Sequence, residues 1–234
     1  MTLVSVILPV YNTEAFITEA IDSVLTQGPE PLELIIVDDG STDATPDIVA
    51  GYGSTAIKYA RQENRGAAAA MNAAVRLISG EWVAFQNADD VWLPGRLPLQ
   101  RALLDAHPEA DIIIGHMKRM WRPAGEVEWK CTEKEFAMSL QSCLVRRTVL
   151  DRIGSFDETL RCCFDWDWLF RARETGVSFL THPEITHYYR RHETNISGEA
   201  TANPEVAIII KRSLERRRAK GMQGSLASLN PNTA

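Results

Sequence analysis

The chain has 234 residues and a formal net charge of −6, with 45% hydrophobic and 24% charged residues. This composition is typical of a globular protein with a sizeable core, which excludes a disordered or fibrous chain. The acidic balance argues against a general nucleic-acid binder, whose domain would carry a basic excess. No stretch approaches the roughly 20 consecutive apolar residues that a membrane-spanning helix needs.

The N-terminal segment and the cysteines both indicate a cytoplasmic protein. The first residues lack a basic segment, and their apolar run is too short for a secretory signal. Four cysteines, of which Cys162 and Cys163 are neighbours, lack the spacing of a zinc site or a disulfide framework. We therefore expect reduced thiols and no secretory leader.

The first ninety residues alternate strand-like and helix-like segments. The expected strands span residues 3–8, 32–37, 57–59 and 82–85. The expected helices span residues 16–25, 45–52 and 66–74. This alternation predicts βαβ units and an α/β fold with a mainly parallel sheet flanked by helices.

Beyond Pro94 the alternation loosens. We expect a helix over 97–107, a strand over 111–115 and a polar stretch without clear period over 118–135. Two further helices are expected, over 145–153 and 164–174. The second half is therefore less regular than the first.

A last helix is expected to begin near Asn203-Pro204, and its second half carries a run of basic side chains. These are Lys211, Arg212, Arg216, Arg217, Arg218 and Lys220. The interpretation we prefer is that they complement the helix dipole. The alternative is peripheral contact with an anionic membrane surface. After Gly221 we expect a disordered tail.

Pairs of carboxylates follow two of the expected strands. Asp38 and Asp39 follow residues 32–37, and Asp89 and Asp90 follow residues 82–85. In open α/β sheets the ligand crevice lies outside the carboxyl ends of the strands, so these turns would face one another. Two adjacent carboxylates are costly to bury unless a cation shares the site. The pattern therefore predicts a divalent metal and a phosphorylated ligand.

Five motifs, in this order and spacing, closely resemble the family 2 glycosyltransferases. The motifs are Pro9-Val10-Tyr11-Asn12, Asp38-Asp39-Gly40-Ser41, Glu63-Asn64-Arg65-Gly66, Met71-Asn72-Ala73 and Asn87-Ala88-Asp89-Asp90. The resemblance covers residues 3–100 well and 140–198 more loosely. It implies the Rossmann-like GT-A fold and a nucleotide-diphosphate sugar as donor.

The resemblance also divides the chain by role. Residues 1–100 would form the nucleotide-sugar-binding half, and residues 101–200 the acceptor-side half with the catalytic base. Residues 201–221 would form the C-terminal helix, and residues 222–234 the disordered tail.

The resemblance implies a set of donor-binding residues. Pro9 and Tyr11 would line the nucleoside pocket, and Asp39 would accept a hydrogen bond from the base, while Asp38 supports the turn. The other residues implied at the donor site are Arg65, Asn72, Asp89 and Arg191. The alternative interpretation of the acidic turns is structural, because Asp readily forms such turns.

The metal would be Mn²⁺ or Mg²⁺, held by Asp89, Asp90 and His192, with Asp90 the favoured ligand. Such a cation offsets the charge that builds on the departing diphosphate. Asn87 stands where the family often has the first acid of an Asp-x-Asp motif, which removes one charge. His192 has a structural alternative, and Arg96 would either pair with the acidic cluster or cap local structure.

The catalytic base implied by the resemblance is Asp165, with Phe164 where the family usually has Glu. Residues two apart on a helix point about 200° away from each other, so Asp165 and Asp167 cannot both face the cleft. Asp167 has Arg171 four residues on and is expected to form an exposed ion pair with it. Asp165 would act as the base or, alternatively, cap the helix.

The sequence thus favours an inverting glycosyltransferase of polysaccharide biosynthesis with a UDP-linked donor. Its acceptor would be a glycan, a lipid-linked molecule or a small molecule, with no nucleic acid as partner. One alternative is a nucleotide-sugar binding module that has lost catalysis, as Asn87 and Phe164 suggest. A sugar-phosphate nucleotidyltransferase is less favoured, because the segment after the first strand lacks a glycine-rich basic loop.

Overall fold

A computed structural model describes residues 2–29, 31–136, 138–193, 195 and 204–221. The strands are β1 Val4–Val10, β2 Leu32–Asp38, β3 Ile57–Arg61, β4 Trp82–Phe85, β5 Val91–Trp92, β6 Ile112–Trp121, β7 Lys130–Cys131, β8 Glu135–Phe136, β9 Cys143–Arg146 and β10 Phe179–Arg191. The helices are α1 Ile17–Leu25, α2 Thr45–Gly51, α3 Ala67–Val75, α4 Arg96–Ala106, α5 Arg147–Ile153, α6 Phe164–Glu174 and α7 Pro204–Ala219.

These strands form one sheet in the order β3-β2-β1-β4-β9-β6-β10-β5, and β7 and β8 pair with β6. The four strands from the first half, β1 to β4, are mutually parallel, and β10 is parallel to β6. Strand β9 runs antiparallel between β4 and β6 and so joins the two halves of the chain in one sheet. The α/β architecture expected from the sequence is confirmed.

Two apolar layers cover the two faces of the sheet. One contains side chains of α3, α5 and α6, and the other contains side chains of α1, α2 and α4. Strands β1 and β2 are buried along nearly their whole length because helices cover both of their faces. Their carboxyl ends therefore open together at one edge of the sheet.

The second half differs from the sequence-based expectation in two places. The strand expected over 111–115 extends to Trp121 as β6, and the polar stretch without clear period over 118–135 contains β7 and the start of β8. The helix expected over 145–153 is divided into strand β9 and helix α5. Leu144 and Val145 are fully buried between β4 and β6. An apolar run of three residues cannot be told from a helix start by periodicity alone.

Helix α7 packs against α6 and the segment before it. Ile209 is fully buried beside Leu160 and Phe170. The buried carboxylate of Glu174 accepts hydrogen bonds from Ser213 and Arg216 of α7.

Basic side chains in and just after α7 are directed to the protein body. Arg212 pairs with Asp157, Arg216 pairs with Glu174, and the Lys220 ammonium donates to the Glu174 carbonyl. Membrane contact through this helix stays a prediction, and the tail 222–234 lies outside the described residues. No helix within the described ranges is both long enough and apolar enough to cross a bilayer.

Candidate functional site

The loops that follow β1 and β2 are tied together into one corner of the sheet edge. The backbone N–H of Asn12 donates to Ser41 Oγ (3.0 Å), and the backbone N–H of Thr42 donates to Asn12 Oδ1 (2.7 Å). Asn12 adopts a left-handed backbone with φ 50°, which Asn tolerates better than most residues. Tyr11 projects from this corner with 48% of its surface exposed, while Pro9 is partly buried in β1.

Asp38 has the supporting role that the sequence suggested. Its carboxylate is fully buried and accepts hydrogen bonds from the Ser41 N–H (2.7 Å) and the Tyr59 hydroxyl (2.7 Å). Burial and the hydrogen bond to Asp38 raise the pKa of Tyr59 to about 12. Asp38 therefore fixes the turn from beneath.

Both carboxylate oxygens of Asp39 accept hydrogen bonds from the neighbouring loop 62–66. Oδ1 accepts hydrogen bonds from Gln62 Nε2 (2.7 Å) and the Arg65 N–H (2.9 Å), and Oδ2 accepts one from the Gly66 N–H (2.7 Å). Gly40 permits this approach, because a Cβ there would lie 3.0 Å from Asn64 N. These hydrogen bonds give Asp39 a structural role, and a contact to the nucleobase stays a prediction that would use the remaining acceptor capacity of Oδ2.

Arg65 lies on the same loop with its side chain largely exposed. Its guanidinium pairs with Glu158 at 2.9 Å, from the loop before α6. Asn72 lies behind this exposed corner, and its expected role in donor binding stays a prediction. Its amide is 8% exposed and is engaged by Phe156 N–H, Phe156 C=O and Glu158. Asn72 therefore positions the loop that presents Glu158 to Arg65.

A second corner forms where β4 and β10 end. Asp89 Oδ2 lies 3.0 Å from His192 Nε2 and 3.1 Å from Asn195 Nδ2. The ring of Phe16 stacks against His192 with centroids 4.6 Å apart. The side chains of Asp89 and His192 are 24% and 20% exposed, so both remain accessible to a ligand.

Asp90 has the opposite environment to Asp89. Its carboxyl group is fully buried and accepts two hydrogen bonds, from the backbone N–H of Arg190 (2.8 Å) and from Nδ2 of Asn87 (3.3 Å). Burial, followed by the charge of Asp89, raises the pKa of Asp90 well above its ordinary value. That Asp90 is the favoured metal ligand stays a prediction from the resemblance; in the structure its carboxyl supports β10, and Asp89 is the acid that faces outward.

The two arginines before His192 have different surroundings. Arg190 is buried, pairs with Glu19, and lies over the rings of Phe16 and Trp129 at 5.0 Å each. Arg191 is exposed and lines a separate cavity together with Trp121. Sequence reasoning missed Phe16, Glu19 and Asn195, because none of them belongs to the motifs that carry the resemblance. Their contacts with His192, Arg190 and Asp89 join segments far apart in the sequence, so no local pattern indicates their roles.

Asp165 lies in the first turn of α6, partly buried against the short 3-10 helix Leu140–Ser142. Burial raises the pKa of Asp165 to about 6, although hydrogen bonds from the Trp166 and Leu140 backbone and from Ser139 act against that rise. A carboxyl with a pKa near 6 is ionised at neutral pH yet is a stronger base than an ordinary aspartate.

Phe164 connects α6 to the acidic turn through a row of aromatic rings. Its ring packs edge-on to Phe156 (5.9 Å), which packs edge-on to Phe85 (6.4 Å) at the end of β4. Because Phe85 lies four residues before Asp89, this row places the start of α6 at the same sheet edge as the second corner. The apolar side chain at position 164 is thus part of the core.

Asp167 points away from Asp165, as helix geometry requires. It forms the expected ion pair with Arg171 (2.8 Å) and a second one with Arg216 (3.4 Å). The expectation that this pair is exposed is wrong, because α7 covers it and Asp167 is only 3% exposed.

Arg96 does not pair with the acidic cluster, and its role is the structural one: it holds the turn around Asp165 from behind. It is 1% exposed, lies 3.9 Å over the Trp92 ring and donates to the Cys143 carbonyl (3.2 Å). Gln100 binds Arg96 Nε (3.2 Å) and donates to the Ser142 carbonyl (3.1 Å). Burial lowers the pKa of Arg96 to about 9. Within the described residues no carboxylate pairs with this guanidinium.

Known proteins resemble this chain in sequence and in structure. The sequence model of the family described as "Glycosyl transferase family 2" matches residues 5–156. An uncharacterised glycosyltransferase of Rickettsia typhi is 28% identical over 218 residues, covering 85% of this chain and 67% of that protein. A putative glycosyltransferase of Bacillus subtilis, EpsH, is 28% identical over 244 residues, covering 99% of this chain and 68% of that protein.

Among solved structures, the chain is similar to S. aureus TarS 1–349 in complex with UDP-GlcNAc. The match has a TM-score of 0.76 and 25% identity, covering 91% of this chain and 66% of that one. The chain thus spans about two thirds of the length of these proteins. The GT-A fold expected from the sequence is confirmed by this match.

Proposed function

Because the chain belongs to glycosyl transferase family 2, we propose that it moves a sugar from a UDP-linked donor to an acceptor hydroxyl, with inversion at the anomeric carbon. The observation that carries this proposal is the common sheet edge of three features: the Tyr11 corner, the outward-facing Asp89 with His192, and Asp165 with its raised pKa. The UDP-GlcNAc bound by TarS supports a UDP-linked donor.

In this proposal the first corner binds the nucleoside. Tyr11 offers an exposed ring on which a base stacks. The partly buried Pro9 forms the adjacent wall, and Arg65 offers a cation near the donor. Asp39 rigidifies the loop that carries Arg65 and reads the base with its remaining acceptor capacity.

The second corner fits a divalent cation bound together with the donor diphosphate. Asp89 and His192 supply one oxygen and one nitrogen ligand 3.0 Å apart, and Asn195 lies against both. In the described part of the chain no three acidic, His or Cys groups come together, so phosphate oxygens and water would complete the shell. When bound, Mn²⁺ or Mg²⁺ would offset charge on the leaving diphosphate.

Asp165 takes the proton from the acceptor hydroxyl while that oxygen attacks the anomeric carbon. One bond forms to the acceptor oxygen, the bond to the diphosphate oxygen breaks, and UDP leaves with the electron pair. The Ser139–Ser142 turn and the Phe164 ring fix the carboxyl in place, which lowers the entropic part of the barrier.

The test is a thermal-shift screen of UDP-GlcNAc, UDP and GDP with and without Mn²⁺. A ligand at 100 times its dissociation constant stabilises the folded state by about 2.7 kcal/mol. We expect UDP and UDP-GlcNAc to raise Tm in the presence of Mn²⁺ and GDP to have a smaller effect. No shift with any nucleotide would contradict the proposal, and nucleotide binding without release of UDP would favour the binding-module alternative.

A further inference from the structure

The cavity lined by Arg191 and Trp121 lies directly beside the Asp89–His192 corner. It has a volume of about 460 Å³ and is lined by Arg119, Trp121, Arg122, Thr132, Arg191 and His192. This volume falls within the range of small-molecule sites. None of the sequence motifs discussed above accounts for Trp121 or Arg122, which lie at the end of β6 and just after it.

Two contacts join this cavity to the donor corner. His192 lines the cavity while its Nε2 lies 3.0 Å from Asp89. The ring of Trp129 lies between the guanidinium of Arg122 (4.5 Å) and that of Arg190 (5.0 Å). A molecule in the cavity would therefore be a neighbour of the donor diphosphate.

The cavity is positively charged although the whole chain is acidic, with a net charge of −6. Three guanidinium groups line it, and Glu193 is the acid among the lining residues that the structure describes. Arg119 is neutralised by Glu135 at 2.9 Å, which leaves Arg122 and Arg191 as the exposed cations. Guanidinium groups match the paired oxygens of phosphates and carboxylates.

We propose that this cavity is an acceptor subsite that binds a sugar bearing a negatively charged phosphate or carboxylate group. Arg122 and Arg191 hold the anionic group, and the Trp121 ring packs against the sugar. The proposal rests on the proposed glycosyltransferase function and deepens it, because it assigns a charge to the acceptor. A neutral acceptor would leave the cations without a partner in the complex.

The experiment uses the full chain loaded with UDP and Mn²⁺, so that the donor corner is filled before the second ligand is added. Glucose 6-phosphate, glucuronate and glucose are titrated in turn by calorimetry. We expect the phosphate or the carboxylate sugar to bind at least about tenfold more tightly than glucose, which corresponds to about 1.4 kcal/mol. Their relative affinities distinguish the two anionic groups.

Arg122→Gln should weaken binding of the charged sugar at least about fivefold, and Trp121→Leu should also weaken it. The control is Arg147→Gln, an exposed arginine at the start of α5 that lines neither corner. The control should bind the sugar as the unmodified chain does.

Three results would overturn the subsite. These are equal affinity for glucose and the charged sugars, equal effects of Arg122→Gln and Arg147→Gln, or displacement of UDP by the charged sugar. Titration of the nucleotide-free chain separates this proposal from the proposed function. If UDP fails to bind but the charged sugar still binds through Arg122, the function is wrong and the anion site stands.

Discussion

At the scale of single residues, Asp89 and Asp90 are neighbours in sequence with opposite environments in the fold. Asp89 is open to ligands beside His192, whereas Asp90 is buried and bound to the backbone of β10. The sequence identified the pair as an acidic site and favoured Asp90 as the metal ligand, but it could not indicate which acid is buried, because the alternation of side chains breaks down in the turn after β4. Contacts from β10, about a hundred residues later, decide which acid faces outward.

This division predicts different effects for two matched substitutions. Asp89→Asn removes a charged oxygen ligand and should raise the Mn²⁺ concentration for half-maximal UDP stabilisation at least about tenfold. Asp90→Asn keeps the shape of a buried carboxyl and should change that concentration by less than about twofold. Thermal shift with UDP across a Mn²⁺ titration measures both. The account of this corner fails if Asp90→Asn abolishes the metal response and Asp89→Asn retains it.

Asp165 predicts a stability effect with a definite sign. Its pKa in the folded chain is about 6, above its ordinary value of 3.8, so folding favours the protonated form. The free energy of unfolding therefore falls as the pH rises from 3.8 through about 6. The loss from this group is complete once the carboxyl is ionised in the folded chain as well. Asp165→Asn should raise Tm near about pH 7.5, and the difference should vanish near about pH 4.

Asp167→Asn is the matched control, because Asp167 is buried in ion pairs with Arg171 and Arg216. Its removal should lower Tm near neutral pH, the opposite sign. Scanning calorimetry of both variants at several pH values makes the comparison. A lower Tm for Asp165→Asn at neutral pH would show that Asp165 is not held in a strained, desolvated position.

At the scale of elements, helix α7 is held by polar contacts as much as by apolar packing. Arg216 donates to both oxygens of Glu174, which is 7% exposed, and Ser213 donates to the same carboxylate. Arg218 lies on the exposed side of the same helix. The basic run therefore has two faces, and only one of them is free for a dipole or surface role.

Arg216→Met should lower the free energy of unfolding by about 1–3 kcal/mol, because it leaves a buried carboxylate without its charged donor. Arg218→Met should change it by less than about 0.5 kcal/mol, as an exposed substitution does. Urea denaturation of the two variants gives both values. Equal effects would mean that α7 does not dock through Glu174.

The elements of the first half were predictable because each carries a complete local pattern. Strands β1 and β2 are mainly apolar and lie close to the expected ranges 3–8 and 32–37. In the second half, α6 spans the expected range 164–174. Strand β9 and the β6 extension were not predictable. Their burial depends on partners far along the chain, and the period-two pattern of β6 is interrupted by Gly115 and His116.

At the scale of the whole molecule, the site is assembled from segments that the sequence could name but not arrange. Tyr11, Asp89, His192 and Asp165 were all expected from motifs and lie at one edge of the sheet. The resemblance implied Asn72 at the donor site, and the sequence left Arg96 either an acidic partner or a structural role; in the structure both side chains brace loops behind the acidic site. The direction of each of these two side chains is set by packing against residues far along the chain. The pattern of nearby residues therefore does not predict it.

The central claim is that Asp165 is the base of a UDP-sugar transferase, and the release of UDP from UDP-GlcNAc tests it most directly. With Mn²⁺ present and water as the acceptor, the rate should rise with pH around a midpoint of about 6, because the base must be ionised. Asp165→Asn should lower this rate at least about 100-fold while UDP still binds, and Asp167→Asn should retain most of it. An undiminished rate in Asp165→Asn, or loss of the rate in Asp167→Asn alone, would contradict the account.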